Sequence, residues 1–121
     1  MSKRILAVDD STSMRQMVVF TLKGAGYMVQ EAADGQQALD VAKTSQFDLV
    51  LSDVNMPVMD GIQLIRELRA LPNYKFTPIL MLTTEAGAAK KMEGKQAGAT
   101  GWIVKPFNPD QLLATVARVL R

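Results

Sequence analysis

Short runs of branched apolar residues alternate with segments of helical periodicity along the whole chain. Five runs recur, and each is followed by a stretch in which apolar residues repeat with the period of a helix. The runs predict strands over Arg4–Asp9, Met28–Ala33, Asp48–Asp53, Pro78–Thr83 and Gly101–Val104. The segments that follow them predict helices over Ser13–Ala25, Gln36–Thr44, Ile62–Leu71, Ala86–Ala97 and Pro109–Leu120. This strict alternation is typical of an α/β fold.

The composition of the strands indicates a parallel sheet that is covered on both faces. The first, third and fourth strands are almost continuously apolar, as strands buried on both sides are. Right-handed crossovers leave few topologies, and an open doubly wound sheet is the simplest for five strands. The 121 residues fit one domain of ordinary size, so we predict a single domain over residues 1–121 with no output domain.

Local signals mark several helix ends. Ser13 and Gln16 have the spacing of a capping box, and Gly26 is suited to end the first helix. Asn108, followed by a proline, predicts the start of the last helix. The fourth helix is the weakest, because its one large apolar residue is Met92 and two glycines interrupt it. We expect it to be the most mobile helix, unless its small residues serve close packing on the sheet.

The amino-acid composition limits the functions and the reactive groups that the chain can have. The 14 basic and 12 acidic residues are scattered, so no basic stripe predicts nucleic-acid binding. No apolar run approaches the ~20 residues that span a bilayer, so no membrane association is expected. Cysteine is absent, which fits a reducing cytoplasm. Histidine is absent too, which leaves carboxylates, hydroxyls and lysines as the reactive groups.

Polar side chains follow four of the predicted strands at their carboxyl ends. Asp9 and Asp10 follow the first strand, Asp53 ends the third, Thr83 ends the fourth and Lys105 follows the fifth. Ligands of open parallel sheets bind at that edge. Each residue alone has an ordinary structural explanation, such as a helix cap, a turn, a strand end or a solvated surface. Their joint occurrence at one edge predicts a functional site.

Three converging acids would repel one another and raise at least one pKa, whereas a divalent cation would keep all three ionised. Oxygen ligands without histidine or cysteine favour a hard metal, Mg²⁺ first. Such a site suits phosphoryl transfer, in which catalysis is mainly positioning and charge neutralisation. Asp53 is the natural nucleophile, because a carboxylate can form an acyl phosphate. Lys105 and the Thr83 hydroxyl would supply a positive charge and a hydrogen bond.

Four motifs together resemble the receiver domain of response regulators. They are Val8–Asp10, Ser52–Gly61, Met81–Glu85 and Gly98–Phe107, in matching order and spacing across the whole chain. Within that family the chain is most similar to the single-domain regulators of chemotaxis. The resemblance implies a flavodoxin-like (βα)5 fold with the strand order 2-1-3-4-5.

The resemblance also implies roles for the acidic residues. Asp53 would be the phosphoacceptor, and Asp9 and Asp10 would hold Mg²⁺ together with it. Asn55 would give the metal its backbone carbonyl. The family pattern therefore agrees with the metal site that the strand ends predict.

Further roles follow from the same match. Thr83 would contact the phosphoryl group, Lys105 would bridge to it, and the peptide bond after Lys105 would be cis. Asn55 and Glu85 would tune self-dephosphorylation, which implies a short phosphorylated lifetime. Trp102 stands where the family usually has Tyr or Phe, the aromatic switch that turns inward with the threonine. Because an indole is larger and carries an N–H, we expect Trp102 to stay partly exposed on the surface of the fourth helix, fifth strand and fifth helix, or to pack in the core.

Partners follow from the resemblance as well. A sensor histidine kinase, most simply the chemotaxis kinase, would donate the phosphoryl group, and the flagellar motor switch protein would read the signal in trans. The chain would act as a cytoplasmic monomer that promotes its own phosphorylation and dephosphorylation without being a conventional enzyme. Whether a separate phosphatase exists stays open.

Alternatives from other classes share parts of the pattern. A non-chemotaxis receiver that serves as a phosphorelay intermediate or stalk regulator differs little in sequence. A flavodoxin-like electron carrier would need anion-binding donors where Asp9 and Asp10 stand. In a phosphohydrolase with an aspartyl nucleophile, that aspartate usually ends the first strand, and a second acid follows two residues later. In this chain Thr12, which is not an acid, stands two residues after Asp10.

Overall fold

The computed structural model describes residues 3–83 and 88–120, with the side chains of 88–90 excepted. The strands are β1 Arg4–Val8, β2 Met28–Ala32, β3 Leu49–Asp53, β4 Ile79–Thr83 and β5 Gly101–Val104. The helices are α1 Thr12–Gly24, α2 Gly35–Thr44, α3 Gly61–Arg69, α4 Ala88–Ala97 and α5 Pro109–Val119, and a short 3-10 turn at Pro72–Tyr74 precedes β4. No helix in these ranges is long and apolar enough to cross a membrane.

The strands form one parallel sheet in the order β2-β1-β3-β4-β5. This confirms the doubly wound, flavodoxin-like fold and the strand order that the resemblance implies. The order reverses between β1 and β3, which are neighbours with Val8 opposite Ser52. Since Asp9 and Asp53 each come one residue later, the topology places both at the reversal point, where open α/β sheets bind ligands.

Two apolar layers cover the sheet. One contains buried residues of α1 and α5 packed on Leu49, Leu51 and Leu80, and the other contains buried residues of α2 and α3 packed on Leu6 and Val50. β1, β3 and β4 contribute to both layers, which is why they read as continuous apolar runs. The central strands are therefore fixed from both sides, and their ends form a rigid base for the site.

The helix starts differ in part from the predictions. Ser11, and not Ser13, caps α1, because the Ser11 hydroxyl accepts a hydrogen bond from the Met14 N–H at 3.4 Å. The helix accordingly begins at Thr12, which shortens the connection from β1. The predicted cap at Asn108 is confirmed as a full capping box with Gln111.

The helix ends also show one agreement and one difference. Gly26 lies just beyond the end of α1 with a φ of 97°, a conformation that glycine adopts readily. The third helix ends at Arg69 and not at Leu71, because the chain continues into the 3-10 turn. These shifts of one or two residues leave the layers as predicted.

The packing of α4 supports the alternative interpretation that its small residues serve close packing on the sheet. Gly94 is buried, and a Cβ at this position would overlap the Met81 sulfur on β4. Met92, the one large apolar residue predicted for this helix, is 55% exposed. Close approach to the sheet therefore explains Gly94, whereas the mobility of α4 stays a prediction. Residues 86–87, which the sequence assigned to this helix, lie outside the described residues.

Candidate functional site

Three carboxylates meet at the reversal point of the sheet. One oxygen each of Asp9, Asp10 and Asp53 lies within 4.8 Å of the others. Asp9 and Asp53 are buried, whereas Asp10 is exposed. The predicted convergence of these acids is confirmed, and the cluster opens to solvent on the side of Asp10.

Lys105 lies beside the two buried acids. Its ammonium nitrogen is 3.1 Å from Oδ2 of Asp9 and 3.5 Å from Oδ1 of Asp53. Only 11% of the lysine side chain is exposed, so solvent screens these contacts weakly. The ammonium therefore offsets part of the repulsion between the carboxylates. The peptide bond after Lys105 is cis, as the resemblance implied.

Backbone N–H groups orient the same two carboxylates. Ser11 N–H donates to Oδ1 of Asp9 at 2.9 Å, and Val54 N–H donates to Oδ1 of Asp53 at 2.8 Å. Gly61, the first residue of α3, donates from its N–H to the Val54 carbonyl at 2.8 Å. A Cβ on Gly61 would lie 3.0 Å from the Val54 Cα and closer still to the Asp53 carbonyl. Only glycine lets α3 approach the end of β3 this closely.

The pKa of Asp53 is raised above its ordinary value of 3.8. Burial is the main cause, and the charge of Asp9 adds to it, while Lys105 and the Val54 N–H act in the opposite direction. Repulsion among the acids was predicted to raise at least one pKa, and it is a smaller cause than desolvation. Added positive charge near Asp53 would therefore stabilise its ionised form.

The other predicted site residues fall at or near this edge. Thr83 ends β4 and is buried, and its carbonyl accepts a hydrogen bond from the Lys105 N–H at 2.7 Å. Asn55 is exposed in the loop after Asp53. Glu85 lies outside the described residues.

Trp102 is partly buried on β5. It packs against the apolar layer that contains Met81, and the Lys91 ammonium of α4 lies 5.2 Å from the centroid of its ring. It also lines an open groove of about 570 Å³ between β5 and α5, together with Val104 and Gln111 among others. The indole thus lies between the core and the surface, as expected for a side chain larger than Tyr or Phe.

Sequence analysis did not single out Arg15. Its guanidinium donates to the main-chain carbonyl of Asp9 at 2.6 Å and to Glu31 at 2.9 Å. The signal in the sequence is an arginine near the start of α1, where helices favour acidic residues. The backbone donors Ser11 and Val54 carry no signal in the sequence, because any residue except proline can supply an N–H.

The donor set fits a hard divalent cation. The cluster offers carboxylate oxygens only, two of them already oriented by backbone N–H groups, and Asp10 leaves one side open to water. Mg²⁺ prefers oxygen ligands and usually retains several waters. Asp9, Asp10 and Asp53 are therefore suited to hold this ion.

Comparison with known proteins identifies the class that this fold and site define. Residues 5–117 match the response regulator receiver domain, and the chain belongs to that family. Within it the chain is CheY-like. It is 46% identical over 105 residues to the chemotaxis protein CheY-3 of Vibrio cholerae. The matched residues make up 86% of this chain and 81% of that protein.

Solved structures give the same assignment. The chemotaxis response regulator CheY4 of Vibrio cholerae superposes with a TM-score of 0.96 at 58% identity, over 99% of this chain and 100% of that one. The receiver domain of the sensor histidine kinase PA1611 from Pseudomonas aeruginosa superposes with a TM-score of 0.92 at 32% identity, over 99% of this chain and 98% of that one. That structure has a magnesium ion coordinated in its active site cleft.

Proposed function

We propose that the protein is a Mg²⁺-dependent phosphoacceptor switch in which Asp53 receives a phosphoryl group from a histidine kinase. The observation that carries the proposal is the cluster of Asp9, Asp10 and Asp53 within 4.8 Å, with Lys105 in contact with two of them. Bound Mg²⁺ would neutralise negative charge on the acids and on the incoming phosphoryl group. The magnesium ion in the PA1611 receiver supports this assignment of the metal.

The nucleophile is an oxygen of the ionised Asp53 carboxylate. Val54 N–H and the Lys105 ammonium both contact Oδ1 of this carboxylate, and within residues 3–83 and 88–120 no hydrogen bond or ion pair reaches Oδ2. Oδ2 would attack phosphorus of the phosphohistidine donor, so that a P–O bond forms and the P–N bond breaks. The electron pair of the broken bond stays on the imidazole, which takes a proton from solvent. Hydrolysis of the acyl phosphate later restores the carboxylate and releases inorganic phosphate.

Lys105 and Thr83 would transmit the change. Before phosphorylation the Lys105 ammonium is shared between Asp9 and Asp53, and an added phosphoryl group offers it stronger acceptors. The Lys105 N–H and the Thr83 carbonyl are hydrogen-bonded, so β4 and β5 would respond together. We expect the equilibrium between two arrangements of the α4, β5 and α5 surface, which includes Trp102, to shift on phosphorylation.

The pathway that fits best is chemotaxis. Both Vibrio cholerae relatives are chemotaxis proteins, at 46% and 58% identity. A chemotaxis kinase would then be the donor, the flagellar motor switch protein would be the target in trans, and a phosphatase would be a third partner if self-dephosphorylation is slow. A phosphorelay role remains the second candidate, since the PA1611 receiver belongs to a sensor histidine kinase.

Intact-mass spectrometry tests the phosphoacceptor proposal. The protein is incubated with a small phosphodonor and Mg²⁺, and the expected result is a gain of one phosphoryl group that chelation abolishes. Asp53→Asn should not gain it, whereas Asp40→Asn on the exposed side of α2 should behave as wild type. Equal labelling of Asp53→Asn and wild type would refute Asp53 as the acceptor.

Phosphotransfer kinetics separate the two pathways. Phosphorylated chemotaxis kinase and phosphorylated non-chemotaxis kinases of the same cell are mixed in turn with the protein. Chemotaxis signalling predicts the fastest transfer from the chemotaxis kinase. Faster transfer from another kinase would favour the phosphorelay role.

A further inference from the structure

An arginine that the proposed mechanism does not use contacts the backbone next to the acid cluster. Arg15 is the fourth residue of α1, and only 15% of its side chain is exposed. A cation near a helix N-terminus opposes the helix dipole, and its partial burial adds a cost of desolvation. Contacts elsewhere must offset both costs.

The guanidinium makes two such contacts. Nη1 donates to the main-chain carbonyl of Asp9 at 2.6 Å, and Nε donates to Oε1 of Glu31 at 2.9 Å. Glu31 lies on β2, in register with Ala7 of β1. Arg15 therefore joins α1, the end of β1 and the neighbouring edge strand at one point.

The first contact acts on the backbone of the site. The Asp9 carbonyl belongs to the planar peptide group that joins Asp9 to Asp10. A hydrogen bond that fixes this carbonyl fixes the orientation of the whole group, and with it the direction in which the Asp10 backbone continues. This contact therefore helps to set where the Asp10 Cα lies.

Asp9 and Asp10 differ in the contacts that hold their carboxylates. Oδ1 of Asp9 accepts from the Ser11 N–H, and Oδ2 contacts Lys105. In the described part of the chain no hydrogen bond or ion pair holds the exposed Asp10 carboxylate. Its place in the cluster thus depends on the backbone and on its own side-chain torsions.

We propose that Arg15 is a positioning residue for the divalent-cation site, which fixes the peptide between Asp9 and Asp10 so that Asp10 converges with the other acids. The inference rests on the proposed metal-dependent function. Arg15 contacts neither carboxylate of the acid pair, so it acts through the backbone and not on the reacting atoms. Groups that orient metal ligands in this way typically contribute ten- to a hundredfold in metal affinity.

The test is a calorimetric titration of the folded full chain with Mg²⁺ alone, at a temperature where every variant gives the wild-type circular dichroism spectrum. We expect Arg15→Met to weaken Mg²⁺ binding by about tenfold. Glu31→Gln is the matched control, because it removes the charge partner and leaves the carbonyl contact intact, so it should bind Mg²⁺ nearly as wild type does. Arg15→Lys should bind Mg²⁺ with an affinity between those of wild type and Arg15→Met, since a flexible ammonium can reach the carbonyl but holds it less rigidly than a planar guanidinium does.

A second readout separates positioning from a purely structural role. In phosphorylation by a small donor, Arg15→Met should raise the Mg²⁺ concentration for half-maximal rate and leave the rate at saturating Mg²⁺ near that of wild type. Wild-type Mg²⁺ affinity in Arg15→Met, or an equal loss in Glu31→Gln, would overturn the positioning role alone. If Arg15→Met does not fold, Arg15→Ala takes its place, and unchanged affinity in that variant would overturn the positioning role. A wild-type protein that binds no Mg²⁺ would overturn the proposed function itself, and this inference with it.

Discussion

The ammonium nitrogen of Lys105 lies 3.1 Å from Oδ2 of Asp9, which precedes it by 96 residues. This contact joins the residues that follow β1 and β5 across the carboxyl edge of the sheet. Because both side chains are largely buried, each depends on the other for charge compensation. The same lysine also reaches Asp53, so one cation serves two acids before any metal or phosphoryl group arrives.

Removal of this cation should therefore destabilise the metal-free protein. Lys105→Met leaves two buried carboxylates without it, and we expect a loss of about 3 kcal/mol in the free energy of unfolding, measured by urea denaturation in chelator. Added Mg²⁺ should restore more stability in the variant than in wild type. Lys95→Met, at an exposed position of α4, is the control and should change little. Equal stability of Lys105→Met and wild type in chelator would contradict the charge compensation.

The raised pKa of Asp53 predicts a pH dependence. The unfolded chain loses this proton near 3.8, whereas the folded protein retains it to higher pH. Between the two pKa values the folded state binds more protons, so the contribution of Asp53 to stability falls as pH rises through this window and is constant above it.

Asp53→Asn removes that contribution and isolates it. In metal-free buffer the variant should gain stability over wild type as pH rises from about 3.8 through the folded pKa, after which the difference should level off. Denaturation curves across that range measure it. A difference that is constant with pH would show that the pKa of Asp53 is the same in both states.

Gly61 should tolerate no side chain. Gly61→Ala places a Cβ against the backbone of Asp53 and Val54, which cannot yield as a flexible side chain would. We expect a loss of about 2 kcal/mol in stability, together with weaker Mg²⁺ binding, because the end of β3 must shift. Gly24→Ala is the control, since its added Cβ would meet no atom within 4 Å. Wild-type stability and Mg²⁺ affinity in Gly61→Ala would contradict the close approach of α3.

Arg69 holds the end of α4 against α3. Its guanidinium donates to the carbonyls of Gly98, Tyr74 and Thr77 at distances between 2.7 and 3.1 Å. Arg69→Met would leave these partly buried acceptors without this donor, so we expect a loss of about 3 kcal/mol in the free energy of unfolding. Arg66→Met, on the exposed side of the same helix, should change stability by less than about 0.5 kcal/mol. Comparable losses in the two variants would rule out this anchoring role.

The sequence predicts the layers and the acid cluster because both depend on periodic burial and on strand ends. Val8 and Asp53 end apolar runs, and a parallel sheet brings such ends to one edge without further information. The strand order itself came from the family resemblance. The start of α1 was predicted at the wrong serine, since Ser11 and Ser13 are both good cap residues and residue type alone does not decide between them.

Other features were not predicted from the sequence. Val58 adopts a φ of 67°, rare for a branched residue, and the Met59 N–H donates to the Pro57 carbonyl at 2.7 Å to close a three-residue turn around it. Arg15 reaches the Asp9 carbonyl only once α1 is packed beside β2. The Arg15 contacts arise from tertiary packing, which residue types and spacing along the chain do not show directly.

Location of the phosphoryl group on the chain tests the central claim most directly. The protein is phosphorylated by a small donor with Mg²⁺, the acyl phosphate is trapped by borohydride reduction, and peptide mass spectrometry identifies the reduced residue. The account predicts reduction at Asp53 alone, and none when Mg²⁺ is chelated. Reduction at another carboxylate, or equal reduction of Asp53 without the metal, would contradict it.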